Sequence, residues 1–218
     1  MINKEALWFK YNISEIDNLS AFPLLNIGSG NENLQKYILP CIDKHIFKPF
    51  RDKALTVYHL DLKSGKGVDI VGDIFDPNII KKISSLNIKS VMCTNFLEHV
   101  IDREAVCKNI LSVIPSGGYI FISCPYIFPY HPDPIDTMFR PNITELAALF
   151  PETKILKSEI INCGNLFSYF EDKIYILPLF PIRMLIPVYK FKSWRWQLKL
   201  LPFINKDFKV TCLILQKI

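Results

Sequence analysis

Four places in the first half of this sequence carry residues able to hold a small polar ligand. Gly28 and Gly30 flank Ser29 directly after an apolar run, Phe22–Ile27. Two glycines one residue apart let the backbone turn tightly and let a ligand approach it closely. Asp61 ends the next run, Leu55–Leu60, and a carboxylate there can accept two hydrogen bonds from a ribose diol. Asp73 follows Val68–Val71, and Asn95 closes Val91–Asn95. One Gly-x-Gly occurs often by chance. Four successive strand ends carrying Gly-x-Gly, Asp, Asp and Asn form a far more selective pattern.

Two histidines could move a proton near neutral pH. His99 follows Glu98 just after Asn95, and His131 sits in a proline- and aromatic-rich loop, Pro125–Pro141. Aromatic side chains there can stack on a substrate, and the prolines hold the loop's shape. His131 can also brace the loop by bonding Asp133 or Asp136, and Arg140 is expected to pair with a loop carboxylate. Glu98 and His99 alone are two potential ligands, too few for a closed metal site. The expectation is therefore no metal, with His131 rather than His99 as the proton acceptor.

Short strands alternating with helices must position these groups. A helical pattern covers roughly Glu32–Arg51, with Pro40 interrupting it. Asp76–Leu86 has an N-cap Asp followed by Pro. Asp102–Ile114 is a third helix, Pro115-Ser116-Gly117-Gly118 a turn, and Tyr119–Cys124 a fifth strand. Asn142–Phe150 opens on an Asn-x-x-Glu capping pattern. Lys154–Asn162 and Asp207–Lys217 read as two last strands. The early strands are continuously apolar, as in a parallel sheet covered on both faces. Such a doubly wound sheet binds ligands at the carboxyl ends of its strands.

Other nucleotide-binding designs fit poorly. A dinucleotide fingerprint needs glycine where Asn33 stands. The chain lacks the phosphate-binding G-x-x-x-x-G-K-[ST] and the nucleophile elbow G-x-S-x-G.

From Leu24 to Phe150 the chain resembles the class I S-adenosylmethionine-dependent methyltransferases. The resemblance rests on Leu24-Leu25-Asn26-Ile27-Gly28-Ser29-Gly30, on Asp61, and on Val68-Asp69-Ile70-Val71-Gly72-Asp73-Ile74. It rests also on Asn95-Phe96-Leu97-Glu98-His99-Val100, the following helix and its Pro-x-Gly-Gly turn. It implies an α/β fold, a doubly wound seven-stranded sheet in order 3-2-1-4-5-7-6 with the last strand antiparallel. The cofactor it implies is S-adenosyl-L-methionine. By the same resemblance Asn26, Gly28, Ser29 and Gly30 lie under the methionine part, and Asp61 holds the ribose. Asp73 and Ile74 flank the adenine, while Asn95 and Leu97 border the methionine end. Methyl transfer to an oxygen or nitrogen of a small-molecule, sugar or lipid-linked acceptor is then expected. The family usually has an acid at Asn26 and a glycine at Glu32. Those departures keep open a binding module without turnover, and an oxidoreductase or epimerase is a further alternative.

Half of the 218 residues are apolar and 22% are charged, enough for one domain with a sizeable core. Six scattered cysteines without a CxxC read as reduced, buried thiols. The first ten residues carry Lys4, Glu5 and Lys10, with no signal-peptide core, so a cytoplasmic protein is expected. The net charge of +5 is concentrated: Ile174–Lys206 holds six Lys and Arg and no acid, leaving the rest near −1. Trp and Tyr among Lys and Arg suit a membrane interface. A lid-like insertion at about 164–206 is expected, with peripheral contact at the inner membrane face through 174–206. Nucleic acid ranks lower as a partner.

Overall fold

The computed structural model describes residues 1–131, 135–170 and 191–218. In chain order the elements are α1 (Asn3–Ser14), α2 (Asn18–Ala21) and β1 (Leu24–Ile27), then a wide helical turn (Leu34–Ile38) and α3 (Pro40–Ile42). A second wide turn (Asp43–Phe47), α4 (Lys48–Asp52), β2 (Val57–Asp61), β3 (Ile70–Val71) and α5 (Pro77–Ser84) follow. Next come β4 (Ser90–Thr94), a tight turn (Leu97–His99), α6 (Arg103–Val113) and β5 (Tyr119–Ile127). The chain closes with α7 (Ile143–Ala147), β6 (Thr153–Gly164), α8 (Leu166–Tyr169), α9 (Phe191–Leu200), a tight turn (Leu201–Ile204) and β7 (Phe208–Lys217).

The seven strands form one sheet in the order β3-β2-β1-β4-β5-β7-β6. The pairs β1–β2, β1–β4, β2–β3 and β4–β5 are parallel, and β7 runs antiparallel to both β5 and β6. The expected order and the reversed last strand are both present. Alternate strand residues face opposite layers. Leu24, Met92, Phe121, Phe208 and Ile214 pack under Ala6, Phe9 and Ile13 of α1. Leu25, Val91, Ile120, Ile122 and Leu213 pack against Ile83 of α5 and Val106 and Ile110 of α6. Burying both faces explains why these strands read as unbroken apolar runs. Each fully buried large side chain contributes about 1.5–3 kcal/mol.

Local signals set the helix starts. Asp76, Asp102 and Asn142 each accept a backbone N–H of the first turn, and Glu145 bonds back to the Asn142 N–H. The helical pattern over Glu32–Arg51, expected as a kink or two shorter helices, is two helical stretches that part at Leu39, each containing one wide turn. Pro40 offers no N–H to the preceding turn and restarts the helix at α3, while Pro49 sits where the second wide turn runs on into α4. The N-terminal helix α1 was not foreseen from the sequence. All six cysteines are buried, and no disulfide joins them.

Candidate functional site

The parallel strands β1–β5 bring their carboxyl ends to one edge of the sheet. At the end of β1, Gly28 and Gly30 both have positive φ, 65° and 61°. A side chain at Gly28 would meet the Phe96 ring at 2.6 Å, and one at Gly30 would collide with Leu34. Glycine is thus required twice, by conformation and by space. The Gly30 N–H donates to Asp61 Oδ2 at 2.8 Å, and the Lys63 N–H donates to Asp61 Oδ1 at 2.9 Å. Asp61 therefore clamps the glycine turn from the neighbouring strand end, while each carboxylate oxygen can still accept another bond. Glu32 bridges the same two loops: it sits 2.6 Å from Lys36 and 2.9 Å from Lys66. Hydrogen bonds from Lys36 and Lys66 hold its carboxyl down at about 2.

The other residues expected on this side are more varied. Ser29 is buried and its hydroxyl donates to the Gly30 carbonyl at 2.9 Å. Asn26 is buried and its amide lies 3.2 Å from His59 Nδ1, with the Gln35 amide at 3.4 Å from the same nitrogen. Amide N–H donors there keep Nδ1 unprotonated, and burial lowers the pKa of His59. Asp73 is exposed and accepts the Phe75 N–H at 3.0 Å in a local turn. The Ile74 side chain is buried, and its carbonyl accepts from Asn109 at 2.9 Å. Leu97 is a core residue.

The ends of β4 and β5 are assembled differently. Asn95 has a left-handed backbone, φ 50°, a conformation asparagine tolerates better than most residues. Its amide donates to Glu5 Oε1 at 2.8 Å, and the Ser123 hydroxyl donates to the same oxygen at 2.6 Å. Glu5 is fully buried, so α1 delivers a carboxylate into this end of the sheet. Neither Glu5 nor α1 carried any motif. In the structure the Ile2 N–H donates to Glu5 Oε2 at 3.1 Å, which fixes the carboxylate at the start of α1.

His99 and His131, treated as rivals in the sequence, are neighbours. Their ring centroids are 5.2 Å apart, and each Nε2 lies 3.8 Å from Glu98 Oε1. Glu98 is completely buried, and burial pushes its carboxyl up to about 8. Asp136 anchors the loop. It accepts the His131 N–H at 2.9 Å and the Met138 N–H at 2.8 Å, and pairs with Arg140 at 2.7 Å. Burial opposes ionisation of Asp136, but these bonds outweigh it and hold the carboxyl at about 2. His131 Nδ1 lies 3.1 Å from the Pro129 carbonyl and 3.2 Å from Asp136 Oδ2. Two acceptors at Nδ1 place the ring proton there and leave Nε2 as the basic nitrogen. Burial lowers the pKa of His131, which favours that neutral form. Asp133, the other partner expected for His131, lies outside the described residues.

The helix α9 closes over the loop that carries His131. Lys199 Nζ sits 4.2 Å above the Tyr130 ring, Leu200 is buried, and Phe203 stacks on Phe208 with centroids 4.2 Å apart. The basic segment's first part, 174–190, lies outside the described residues. Among the described residues no helix is long and apolar enough to cross a membrane.

No protein-family model matches the sequence, and no curated protein is similar to it. Solved structures do match. The [4+2]-cyclase SpnF aligns with a TM-score of 0.62 at 14% identity, covering 96% of this chain and 80% of that one. Coclaurine N-methyltransferase, crystallised with N-methylheliamine and SAH, aligns at 0.60 and 12%, covering 99% and 70%. Phosphoethanolamine N-methyltransferase 2 of Haemonchus contortus, in complex with S-adenosyl-L-methionine, aligns at 0.57 and 12%, covering 98% and 52%. The chain has the seven-stranded, Rossmann-like methyltransferase fold. A cyclase among the neighbours shows that this fold does not dictate one chemistry.

Proposed function

We propose that this protein transfers a methyl group from S-adenosyl-L-methionine to an oxygen or nitrogen of an acceptor that docks at the ends of β4 and β5. The observation that carries the reading is the glycine turn clamped by Asp61: Gly28 and Gly30 at positive φ, with Asp61 beneath them on the adjacent strand end. It is a turn on which Phe96 and Leu34 close so tightly that no Cβ fits, so it presents bare backbone beside a carboxylate with lone pairs to spare for a diol. Neighbours bearing S-adenosylmethionine or its demethylated product on the same fold support it.

The cofactor supplies, when bound, an electrophilic methyl carbon on a positively charged sulfur. The chain's own residues would do the rest. Gly28, Ser29 and Gly30 offer backbone rather than side chain to the methionine part, and Asp61 offers acceptors to the ribose. Asn26 is neutral and tied to His59, so it brings no charge toward an ammonium. Glu5 supplies a carboxylate at Asn95 instead. The bound cofactor would supply the methyl group and keep the carbon–sulfur electron pair, leaving the acceptor one proton to lose. The acceptor's proton goes to His131 Nε2, whose Nδ1–H is held by Pro129 and Asp136.

Calorimetry of the purified chain with S-adenosylmethionine and, separately, with its demethylated product tests the reading. Saturable binding of about one equivalent of each is expected. If neither binds at millimolar concentration while a nicotinamide dinucleotide does, the methyl-transfer reading falls.

A further inference from the structure

Glu98 holds both carboxylate oxygens inside the protein, and among the described residues neither has a hydrogen-bond partner. A buried polar group left unsatisfied costs about 1–3 kcal/mol, and more when charged. Buried charges are therefore normally paired or bound to a metal. What faces Glu98 is two imidazoles. One ligand atom from each of Glu98, His99 and His131 lies within 4.8 Å of the others, and each Nε2 is 3.8 Å from Glu98 Oε1.

In both rings the second nitrogen is already engaged. His99 Nδ1 bonds the Ile135 carbonyl, and His131 Nδ1 has the Pro129 carbonyl and Asp136 within 3.2 Å. These partners put the ring proton on Nδ1 and turn both Nε2 lone pairs toward Glu98. Metal-ligating histidines are oriented in this way, with the outer nitrogen donating to a carbonyl or carboxylate. Asp136 is in turn fixed by Arg140 and two backbone N–H groups.

We infer that Glu98, His99 and His131 bind a divalent first-row transition cation through one carboxylate oxygen and two Nε2 atoms, with further coordination positions open. A cation bonded at about 2.0–2.2 Å keeps neighbouring ligand atoms about 3.0–3.5 Å apart. Closing from separations of up to 4.8 Å needs side-chain shifts of about 1 Å. Two imidazoles and a carboxylate select zinc, iron, manganese or cobalt over magnesium and calcium, which take oxygen ligands. Asn95 offers no acid here, which is why the sequence showed only two ligands. The third comes from a loop more than thirty residues away.

The cation changes the proton chemistry of this edge. With it bound, His131 is a ligand rather than a proton acceptor, and an acceptor hydroxyl on the open positions is acidified directly. The site itself does not depend on the methyl-transfer reading, so it can be tested without cofactor or acceptor.

The chelator-stripped chain is titrated with cobalt(II), followed by visible d–d absorption, and with zinc by calorimetry. About one cation per chain with distinct d–d bands is expected. His99→Ala, His131→Ala and Glu98→Gln should each weaken binding by about a hundredfold or more, since loss of an outer partner alone costs about 10–100-fold. Thermal unfolding without metal checks that each variant is folded. His99 and His131 are both partly exposed, so their alanine variants remain usable even if Glu98→Gln is not. Absence of cobalt binding at millimolar concentration, or equal affinity in the parent and the folded variants, overturns the site.

Discussion

The two halves of the ligand edge are built on opposite principles. At the ends of β1–β3 the working parts are backbone: a glycine turn, a carboxylate clamping it, and short loops stitched by Glu32 and Lys66. At the ends of β4 and β5 they are side chains gathered from far apart: Glu5 from α1, Glu98 and His99 from one turn, and His131, Asp136 and Arg140 from the loop after β5. The first half is open to solvent and presents shape. In the second, burial and fixed partners move protonation: burial raises Glu98 to about 8, while bonds from Arg140, His131 and Met138 hold Asp136 at about 2 against its burial. A recognition surface needs geometry that backbone supplies cheaply. A reacting centre needs shifted proton affinities, which only desolvation and fixed partners provide.

The comparison breaks if the two halves do not separate binding from turnover. The largest effect is expected from His131→Ala, which should lower turnover by about 10²–10⁴ while S-adenosylmethionine affinity stays within about threefold. Single-turnover methyl transfer alongside calorimetry measures both. An equal loss in affinity would place His131 on the binding side.

Asp61→Ala should do the reverse. Charge-assisted bonds of about 1.5–3 kcal/mol are lost, so affinity weakens about tenfold or more. The rate at saturating cofactor should hardly change. Because Asp61 also clamps Gly30, Asp61→Asn, which keeps an acceptor oxygen, should recover part of the loss.

His59 sharpens the comparison through pH. Burial is the main cause lowering its pKa, with Arg51 adding to it, while Asp69 and Asp43 act in the opposite sense. A histidine depressed in the folded state binds fewer protons than in the unfolded chain. Stability is therefore complete above the ordinary value near 6.5 and falls as pH drops below it. Urea unfolding at pH 7.5 and 5.5 should show that fall, and His59→Gln should flatten it. Affinity for S-adenosylmethionine should drop only at still lower pH, where the folded His59 itself takes a proton, because Asn26 and Gln35 donate to the nitrogen being protonated.

The smallest effect is expected at Glu32, where the resembling family has glycine. Its partners are exposed Lys66 and half-buried Lys36, both open to solvent, and such pairs contribute little. Glu32→Ala should change cofactor affinity by less than about threefold. A tenfold change would show that the loop after β1 depends on this bridge for its shape.

Much of the first half was legible because its signals are local. Gly-x-Gly after an apolar run, an Asp ending the next strand and the Asp76, Asp102 and Asn142 caps are each read within a few residues. Their physical meaning is set by φ, by capping and by strand length. The break in the helical pattern over Glu32–Arg51 was legible at Pro40, but the two wide turns were not, since no local residue pattern marks them. The second half was legible only as parts. His99 and His131 were both singled out, yet as alternatives, since nothing in their spacing says that the loop after β5 folds back onto the turn after β4. Arg140 was expected to meet a loop carboxylate, and Asp136 is that partner.

The sequence by itself determined the sheet, its strand order through the resemblance, and the cradle at the ends of β1 and β2. Those follow from apolar periodicity and from residues whose backbone preferences act in place. Only the tertiary structure decided that Glu98 is fully buried, that Glu5 reaches Asn95 and Ser123, and that two histidines face one carboxylate. Burial and proximity between distant residues are properties of packing. A side chain's proton affinity and its power to bind a cation depend on what the folded chain places around it, and no local pattern encodes that.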